Sequence, residues 1–256
     1  MVDSLPIVIL SVGRKVNYIQ RVIQSLKDTG YMDQHVMSPP RIVVGNSDSS
    51  HLDELIRSGM DIIVDSMGEE EAADLHLTKL SNQQKCGLGH YRWMKVIATL
   101  VEKPEFILAC EDDVVFARGW QRYISSVLED VWATLGRNAI VSLYRLHQEG
   151  ITHDRAKERF MEGRKWYPIQ EHFWGTQAIV YPVCILNDLA EFVLENNVHI
   201  FRNPIDMLIG EYAWGRNIPL VATTPSLVQH IGEATTGQST YFHRAGFFME
   251  SVELYV

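Results

Sequence analysis

Four short apolar runs alternate with stretches of helical periodicity in the first 115 residues of this 256-residue chain. The runs are PIVILSV at 6–12, RIVVG at 41–45, DIIVD at 61–65 and FILAC at 106–110. Between them, apolar residues recur three or four positions apart, as they do on one face of a helix. This alternation predicts an α/β fold with a mostly parallel central sheet flanked by helices.

The second half of the chain is less regular. AIVSLYRL at 139–146, TQAIVYP at 176–182 and PLVAT at 219–223 are predicted strands, and a helix is predicted from about 185 to 195. These strands predict a small mixed sheet over the carboxyl edge of the first half. Since no repeat and no Pro/Gly/Ser-rich linker divides the chain, we expect one domain over 1–256, with halves 1–116 and 117–256.

The composition is that of a soluble globular protein, with 46% hydrophobic and 21% charged residues. A net charge of -9 argues against general affinity for nucleic acid or anionic membranes. The three cysteines lack the spacing of a zinc site or a disulfide framework. The first apolar run is too short for a signal peptide or a membrane span, so we expect a cytoplasmic protein without membrane contact.

Three adjacent carboxylates, Glu111, Asp112 and Asp113, follow the apolar run FILAC. Adjacent carboxylates repel one another and are costly to desolvate unless a cation compensates them, and Mg²⁺ and Mn²⁺ prefer such oxygen ligands. We expect Asp113 to bind the metal ion, with Glu111 facing the same way two positions earlier. The alternative is a strand that ends at Cys110, with the acids in a water-exposed turn.

Polar residues follow two other predicted strands. Arg14 follows the first strand, and the segment from Asn46 to Asp48 follows the second. Because ligands bind beyond the carboxyl ends of strands in open α/β sheets, these residues and the acidic triplet predict one polar rim. Neither a Walker-type phosphate loop nor a GxGxxG turn is present, which argues against a kinase or a dehydrogenase.

The motifs HYRW at 90–93 and EDD at 111–113, in this order and spacing, resemble the GT-A glycosyltransferases. They are most similar to the N-acetylglucosaminyltransferase I group. The resemblance implies a GT-A fold and a nucleotide-diphosphate sugar, most simply a UDP-sugar, bound by the half 1–116 with Mn²⁺ or Mg²⁺.

The resemblance also implies roles for individual residues. Asp113 would bind the metal ion, and a further set would bind the donor: Arg14, Asn46, Asp48, His90, Arg92, Glu111, Asp112 and Gly175. The alternative for the HYRW helix is two packed aromatic rings and a solvated arginine.

Two motifs in the second half resemble the same enzymes more loosely. NPIDMLIGE at 203–211 is similar to the segment that carries a catalytic aspartate in inverting enzymes, which makes Asp206 the candidate general base and Glu211 the reserve. Apolar neighbours would raise the pKa of Asp206 toward a working value. Alternatively, Asp206 only favours the dipole at a helix N-terminus.

The segment PSLVQHIG at 225–232 resembles the N-acetylglucosaminyltransferase IV type, which implies that His230 reaches the metal ion or the diphosphate. Imidazole is an acceptable Mn²⁺ ligand. Residues 233–241 would then form a lid that orders over the bound donor.

The sequence therefore predicts a metal-dependent, inverting transferase whose hydroxyl acceptor is a glycan, a small molecule or a modified DNA base. Cations and aromatic residues mix in residues 147–175, a composition that suits sugar or nucleobase stacking but also a solvated helix followed by core aromatics. Two other functions stay open: a catalytically inactive GT-A-like protein that binds a glycan or partner, and a metal-dependent nucleotidyltransferase.

Overall fold

The structure is a computed structural model of the chain. It describes residues 5–12, 18–34, 40–45, 61–65, 80–100, 102–146, 151–170, 172–232 and 244–255. The segment LDELIRS at 52–58, which the sequence predicts to be a short helix between the second and third apolar runs, lies outside these ranges.

One large sheet contains eight strands. They are β1 (Ile7–Val12), β2 (Arg41–Gly45), β3 (Asp61–Asp65), β4 (Phe106–Glu111), β6 (Ile140–Ser142), β7 (Trp166–Pro168), β8 (Ala178–Pro182) and β9 (Leu220–Thr223). Their order in the sheet is β3-β2-β1-β4-β8-β6-β9-β7. Of these, β8 and β7 run opposite to the other six, so the sheet is mostly parallel.

The second sheet is an antiparallel pair of β5 (Val114–Phe116) and β10 (Val228–His230). The predicted α/β class, with a mostly parallel central sheet and a small second sheet, is confirmed. The strands that were expected to form a sheet over the carboxyl edge instead continue the central sheet. Strand β8 pairs with the free edge of β4, β6 pairs with β8, and β9 pairs with β6. The small sheet brings the end of β10 back to the acidic triplet.

Helices cover both faces of the central sheet. They are α1 (Ile19–Asp28), α2 (Tyr31–Gln34), α3 (Asn82–Ala98), α4 (Trp120–Leu135), α5 (Ile151–Met161), α6 (Leu186–Val193) and α7 (Ile205–Gly215). A 3₁₀ turn (Val183–Ile185) precedes α6, and a π-helical turn (Leu194–His199) follows it.

The apolar spacing of Met94, Ile97, Ala98 and Val101 predicts a helix from Gly87 to Val101, and helix α3 begins five residues earlier, at Asn82. Ser81 and Gln84 form a capping box, in which each side chain pairs with the other residue's backbone N–H. Such a box satisfies two N–H groups that have no partner inside the helix, so it fixes the start of α3 at Asn82.

Alternating residues of β4 serve two hydrophobic cores. Phe106, Leu108 and Cys110 pack in the core that holds the buried faces of α1 and α4. Ile107 and Ala109 face the other core, with α3, α6 and α7. Since successive side chains of a strand point to opposite faces, Glu111 continues the α3 side of the sheet.

Cys86, Cys110 and Cys184 are free thiols. Within the described ranges, no helix is both long enough and apolar enough to cross a membrane.

Candidate active site

The acidic triplet lies at the carboxyl end of β4 and is held by partners on different elements. Glu111 is the last residue of the strand, and its Oε1 accepts a hydrogen bond of 2.6 Å from the hydroxyl of Thr176. Asp112 accepts a hydrogen bond of 2.9 Å at Oδ2 from the hydroxyl of Ser11, near the end of β1. Asp112 and Asp113 are each only 2% exposed. The two aspartates are therefore buried rather than placed in a water-exposed turn, and Glu111 is partly buried.

His230 meets Asp113 because β10 pairs with β5. The register places His230 opposite Val114, and the backbone N–H of Ile231 donates to the carbonyl of Asp113 over 2.8 Å. The imidazole Nε2 lies 3.2 Å from Oδ2 of Asp113. Backbone hydrogen bonds between the two segments therefore bring the side chains of His230 and Asp113 together.

Glu111, Asp113 and His230 could hold one metal ion. Each offers a ligand atom, and these three atoms lie within 4.8 Å of one another. Two carboxylates and an imidazole suit Mn²⁺ and are an acceptable set for Mg²⁺. The donor set therefore fits the divalent ion that the sequence predicts.

Gly232 closes one side of this group. A Cβ atom at this position would overlap Oδ2 of Asp113 and lie 2.9 Å from Nε2 of His230. Only glycine lets the chain pass so close to both ligands.

Tyr144 lies close to Glu111 and Asp113, just beyond the end of β6. Its side chain is buried, and burial together with the negative charges of Glu111 and Asp113 raises the pKa of its hydroxyl. Its ring packs against Gly175, where a Cβ atom would come within 2.8 Å of the ring. Gly175 has φ of +128°, a backbone conformation that other residues rarely adopt. Both this conformation and the close contact with the Tyr144 ring require glycine at this position.

Asp206 lies in the first turn of α7. Burial raises its pKa to about 6, and the backbone N–H groups of Met207, Asp206 and Gly175 oppose this rise. The carboxylate thus faces Gly175, whose neighbour Thr176 donates to Glu111. A carboxylate whose conjugate acid has this pKa can accept a proton near neutral pH.

Glu211 has a different environment from Asp206. Its carboxylate accepts hydrogen bonds from Arg202 over 2.8 Å and from Asn203 over 2.6 Å. These contacts hold the segment that leads into α7. The carboxylate of Glu211 is therefore ion-paired with Arg202, whereas that of Asp206 accepts hydrogen bonds from backbone N–H groups.

His90 and Arg92 lie in the middle of α3. His90 is buried, and its Nδ1 accepts a hydrogen bond of 3.2 Å from the indole of Trp93. Burial lowers the pKa of His90 to about 4, so the imidazole is neutral and carries its proton on Nε2. Arg92 is half-buried. Their predicted contacts with the donor stay predictions.

Several predicted residues fall outside the described part of the chain. They are Arg14, Asn46 and Asp48 on the predicted rim and residues 233–241 of the predicted lid. Sequence reasoning missed Ser11, Tyr144 and Thr176. These residues carry no motif, and only their place beside the end of β4 makes them part of the site.

No protein-family model matches the chain, and no curated protein matches its sequence. Its structure is similar to that of GalNAc-T7 solved with UDP, GalNAc and Mn²⁺, at 11% identity and a TM-score of 0.57 over 92% of this chain and 45% of that chain. It is also similar to the galactosyltransferase LgtC in complex with donor and acceptor sugar analogues, at 14% identity and a TM-score of 0.44 over 81% of this chain and 70% of that chain.

The similarity to GalNAc-T7 shows that the chain has the GT-A fold. The chain spans less than half of that protein's length.

Proposed function

We propose that the protein is a metal-dependent glycosyltransferase of the inverting type that uses a nucleotide-diphosphate sugar, most simply a UDP-sugar. The observation that carries the proposal is the group of Glu111, Asp113 and His230 at the end of a central strand, with the Asp206 carboxylate nearby. The GT-A fold and the crystal structure of GalNAc-T7 with UDP, GalNAc and Mn²⁺ support it.

Asp113 and His230 would hold the metal ion, and Glu111 would complete the group. A bound Mn²⁺ or Mg²⁺ supplies positive charge beside the diphosphate that leaves as the glycosidic bond forms. The hydrogen bond from Thr176 fixes the orientation of Glu111 before any ligand binds. Such preorganisation spares the cost of ordering the carboxylate during the reaction.

Asp206 would remove the proton from the acceptor hydroxyl at its carboxylate oxygen. Its raised pKa suits this role, because a base works best when its pKa lies near the working pH. Gly175 faces Asp206 and Thr176 contacts Glu111, so the two carboxylates lie no more than ~13 Å apart by the reach of two residues and two hydrogen bonds. A sugar ring fits within this span.

The remaining donor contacts follow the sequence resemblance. Asp112 is held by Ser11 on the central strand next to β4, a position suited to the ribose. Arg14, Asn46, Asp48, His90, Arg92 and Gly175 complete the proposed donor set. The sugar that is transferred is a hexose or an N-acetylhexosamine.

The acceptor is a glycan, a small molecule or a modified DNA base. Two other functions make different predictions: an inactive glycan-binding protein would bind sugar without releasing UDP, and a nucleotidyltransferase would release pyrophosphate from a nucleoside triphosphate. Product analysis with both donor types separates the three functions.

The substitution Asp113→Asn tests the proposal directly. Wild-type protein should be stabilised by UDP and Mn²⁺ together, by ~2.7 kcal/mol at a hundredfold excess over the dissociation constant, and the variant should lose this stabilisation. Thermal unfolding with and without UDP, Mn²⁺ and EDTA measures it. Asp154→Asn, at an exposed position of α5, serves as the control and should behave as wild type. Mn²⁺-dependent UDP binding that survives in Asp113→Asn would contradict the metal assignment.

A further inference from the structure

Arg145 is a half-buried cation just beyond the end of β6. Its Nη2 donates a hydrogen bond of 3.1 Å to the backbone carbonyl of His172. Within the described ranges, the guanidinium forms no ion pair with a carboxylate. A partly desolvated charge without a counterion costs free energy, which a bound anion would recover.

Tyr167 on β7 lies beside Arg145. Nη1 of Arg145 and the hydroxyl of Tyr167 are both buried, and the two side chains lie within hydrogen-bonding reach of each other. Burial raises the pKa of Tyr167 to about 12, and the positive charges of Arg145 and Arg155 and the hydrogen bond with Arg145 oppose this rise. The guanidinium and the phenol therefore offer several donors to an anion, and the exposed Arg155 adds positive charge to the same region.

The irregular segment 172–176 links these groups to the proposed active site. His172 contacts Arg145, Gly175 faces Asp206, and Thr176 contacts Glu111. Buried Phe173 packs against Gly210 of α7 and anchors the segment. Because three residues span at most ~10 Å and each end adds a hydrogen bond of ~3 Å, the guanidinium of Arg145 lies within ~16 Å of the Asp206 carboxylate.

We propose that Arg145 and Tyr167, with Arg155 beside them, bind an anionic group of the acceptor, either a phosphate or a carboxylate. The assignment to the acceptor rests on the proposed function. Along the segment 172–176, the contact of Gly175 with Asp206 comes between the contact of His172 with Arg145 and the contact of Thr176 with Glu111. A donor diphosphate would lie at the metal group, next to the Thr176 contact, so we assign an anion at the other end of the segment to the molecule whose hydroxyl the base deprotonates.

Binding of inorganic phosphate and of acetate to the full chain, each titrated in EDTA at constant ionic strength and followed by calorimetry, tests the proposal. Arg145→Gln should weaken the binding of the preferred anion by at least tenfold, which corresponds to about 1.4 kcal/mol. Tyr167→Phe should weaken it by a smaller factor. Arg164→Gln, which removes an exposed arginine of the same region, should leave it unchanged.

Tighter phosphate binding assigns a phosphorylated acceptor, and tighter acetate binding assigns a carboxylated one. Equal anion binding by wild type and Arg145→Gln, or an equal loss in Arg164→Gln, would overturn the proposal. The unfolding temperature without ligand shows that each variant is folded, and Arg145→Lys, which keeps the charge, provides a milder substitution.

UDP binding with Mn²⁺ separates this proposal from the proposed function. Arg145→Gln should bind UDP and Mn²⁺ as wild type does. Loss of UDP binding in this variant would place Arg145 at the donor diphosphate and overturn the acceptor assignment. If wild type binds the anion at Arg145 but binds no UDP with Mn²⁺, the proposed function fails while the anion site stands.

Discussion

Asp206 shows how one residue gains reactivity from its surroundings. The sequence around it supports both a catalytic base and a residue that favours a helix dipole. The structure places it in the first turn of α7, as the dipole alternative expects, and also raises its pKa to about 6 by burial. The two interpretations are compatible, because a helix N-terminus can hold a carboxylate that also accepts a proton.

Asp206→Asn should lower kcat by on the order of 10²- to 10⁴-fold while leaving UDP and Mn²⁺ binding unchanged. The base works when deprotonated, so wild-type kcat should rise with pH through about 6 and then level off. UDP release from a UDP-sugar donor, measured between pH 5 and pH 8, checks both points. Glu211→Gln should keep the kcat and the pH profile of wild type. If Glu211→Gln lost activity and Asp206→Asn kept it, Glu211 rather than Asp206 would be the base.

The difference in stability between Asp206→Asn and wild type should depend on pH, because the pKa of Asp206 is raised in the folded protein. A carboxyl group with a raised pKa stabilises the fold below its unfolded pKa, and this contribution is lost as the pH rises through about 6. The unfolding temperature of Asp206→Asn relative to wild type should therefore increase from pH 4 to pH 8. A difference that does not change with pH would contradict the raised pKa.

At the scale of elements, helix α3 packs closely against the π-helical turn that follows α6. Asn197 in the π-helical turn is fully buried, and its amide donates to the carbonyl of Asn203 over 2.8 Å. A Cβ atom at Gly87 would overlap the amide oxygen of Asn197, whereas at Gly89 nothing lies within 4 Å. The packing therefore requires glycine at position 87 but leaves room for a larger side chain at position 89.

Gly87→Ala should destabilise the protein by ~1–3 kcal/mol because the buried amide has no room to move. Gly89→Ala should stabilise it by ~0.5–1 kcal/mol, since alanine loses less backbone entropy in a helix. Urea unfolding of both variants measures the free energy of unfolding. Effects of the same sign would show that α3 and the π-helical turn do not pack as described.

At the scale of the whole molecule, the two halves of the sequence share one sheet. Strand β4 from the first half pairs with β8 from the second, and the core around α1 includes Val180, Val221 and Val228. The proposed metal group also draws His230 from the second half. We therefore propose that the halves fold as one unit.

A fragment of residues 1–116 should consequently lack a cooperative thermal transition, because β4 would expose an unpaired edge and the apolar face that α4 covers. Circular dichroism during heating, with the full chain as the reference, measures the transition. A sigmoidal unfolding curve for the fragment would show that the first half is an independent domain.

The sequence predicted most of the central strands and the acidic cluster, because each depends on local order along the chain. β2 and β3 have the predicted bounds, and Glu111 ends β4 where the apolar run stops. Helix ends were less predictable, as at α3, where a capping box rather than the apolar pattern fixes the first residue.

By itself, the sequence determined that three acids follow an apolar run, whereas for Asp206 it left open a catalytic base and a residue that only favours a helix dipole. The resemblance placed Asp113 and His230 at one metal ion, but only the tertiary structure decided that their side chains are in contact, that Thr176 fixes Glu111, and that Arg145 lies beside Tyr167. Each of these contacts joins residues brought together by strand pairing between distant segments, and pairing of that kind leaves no periodic pattern in the sequence.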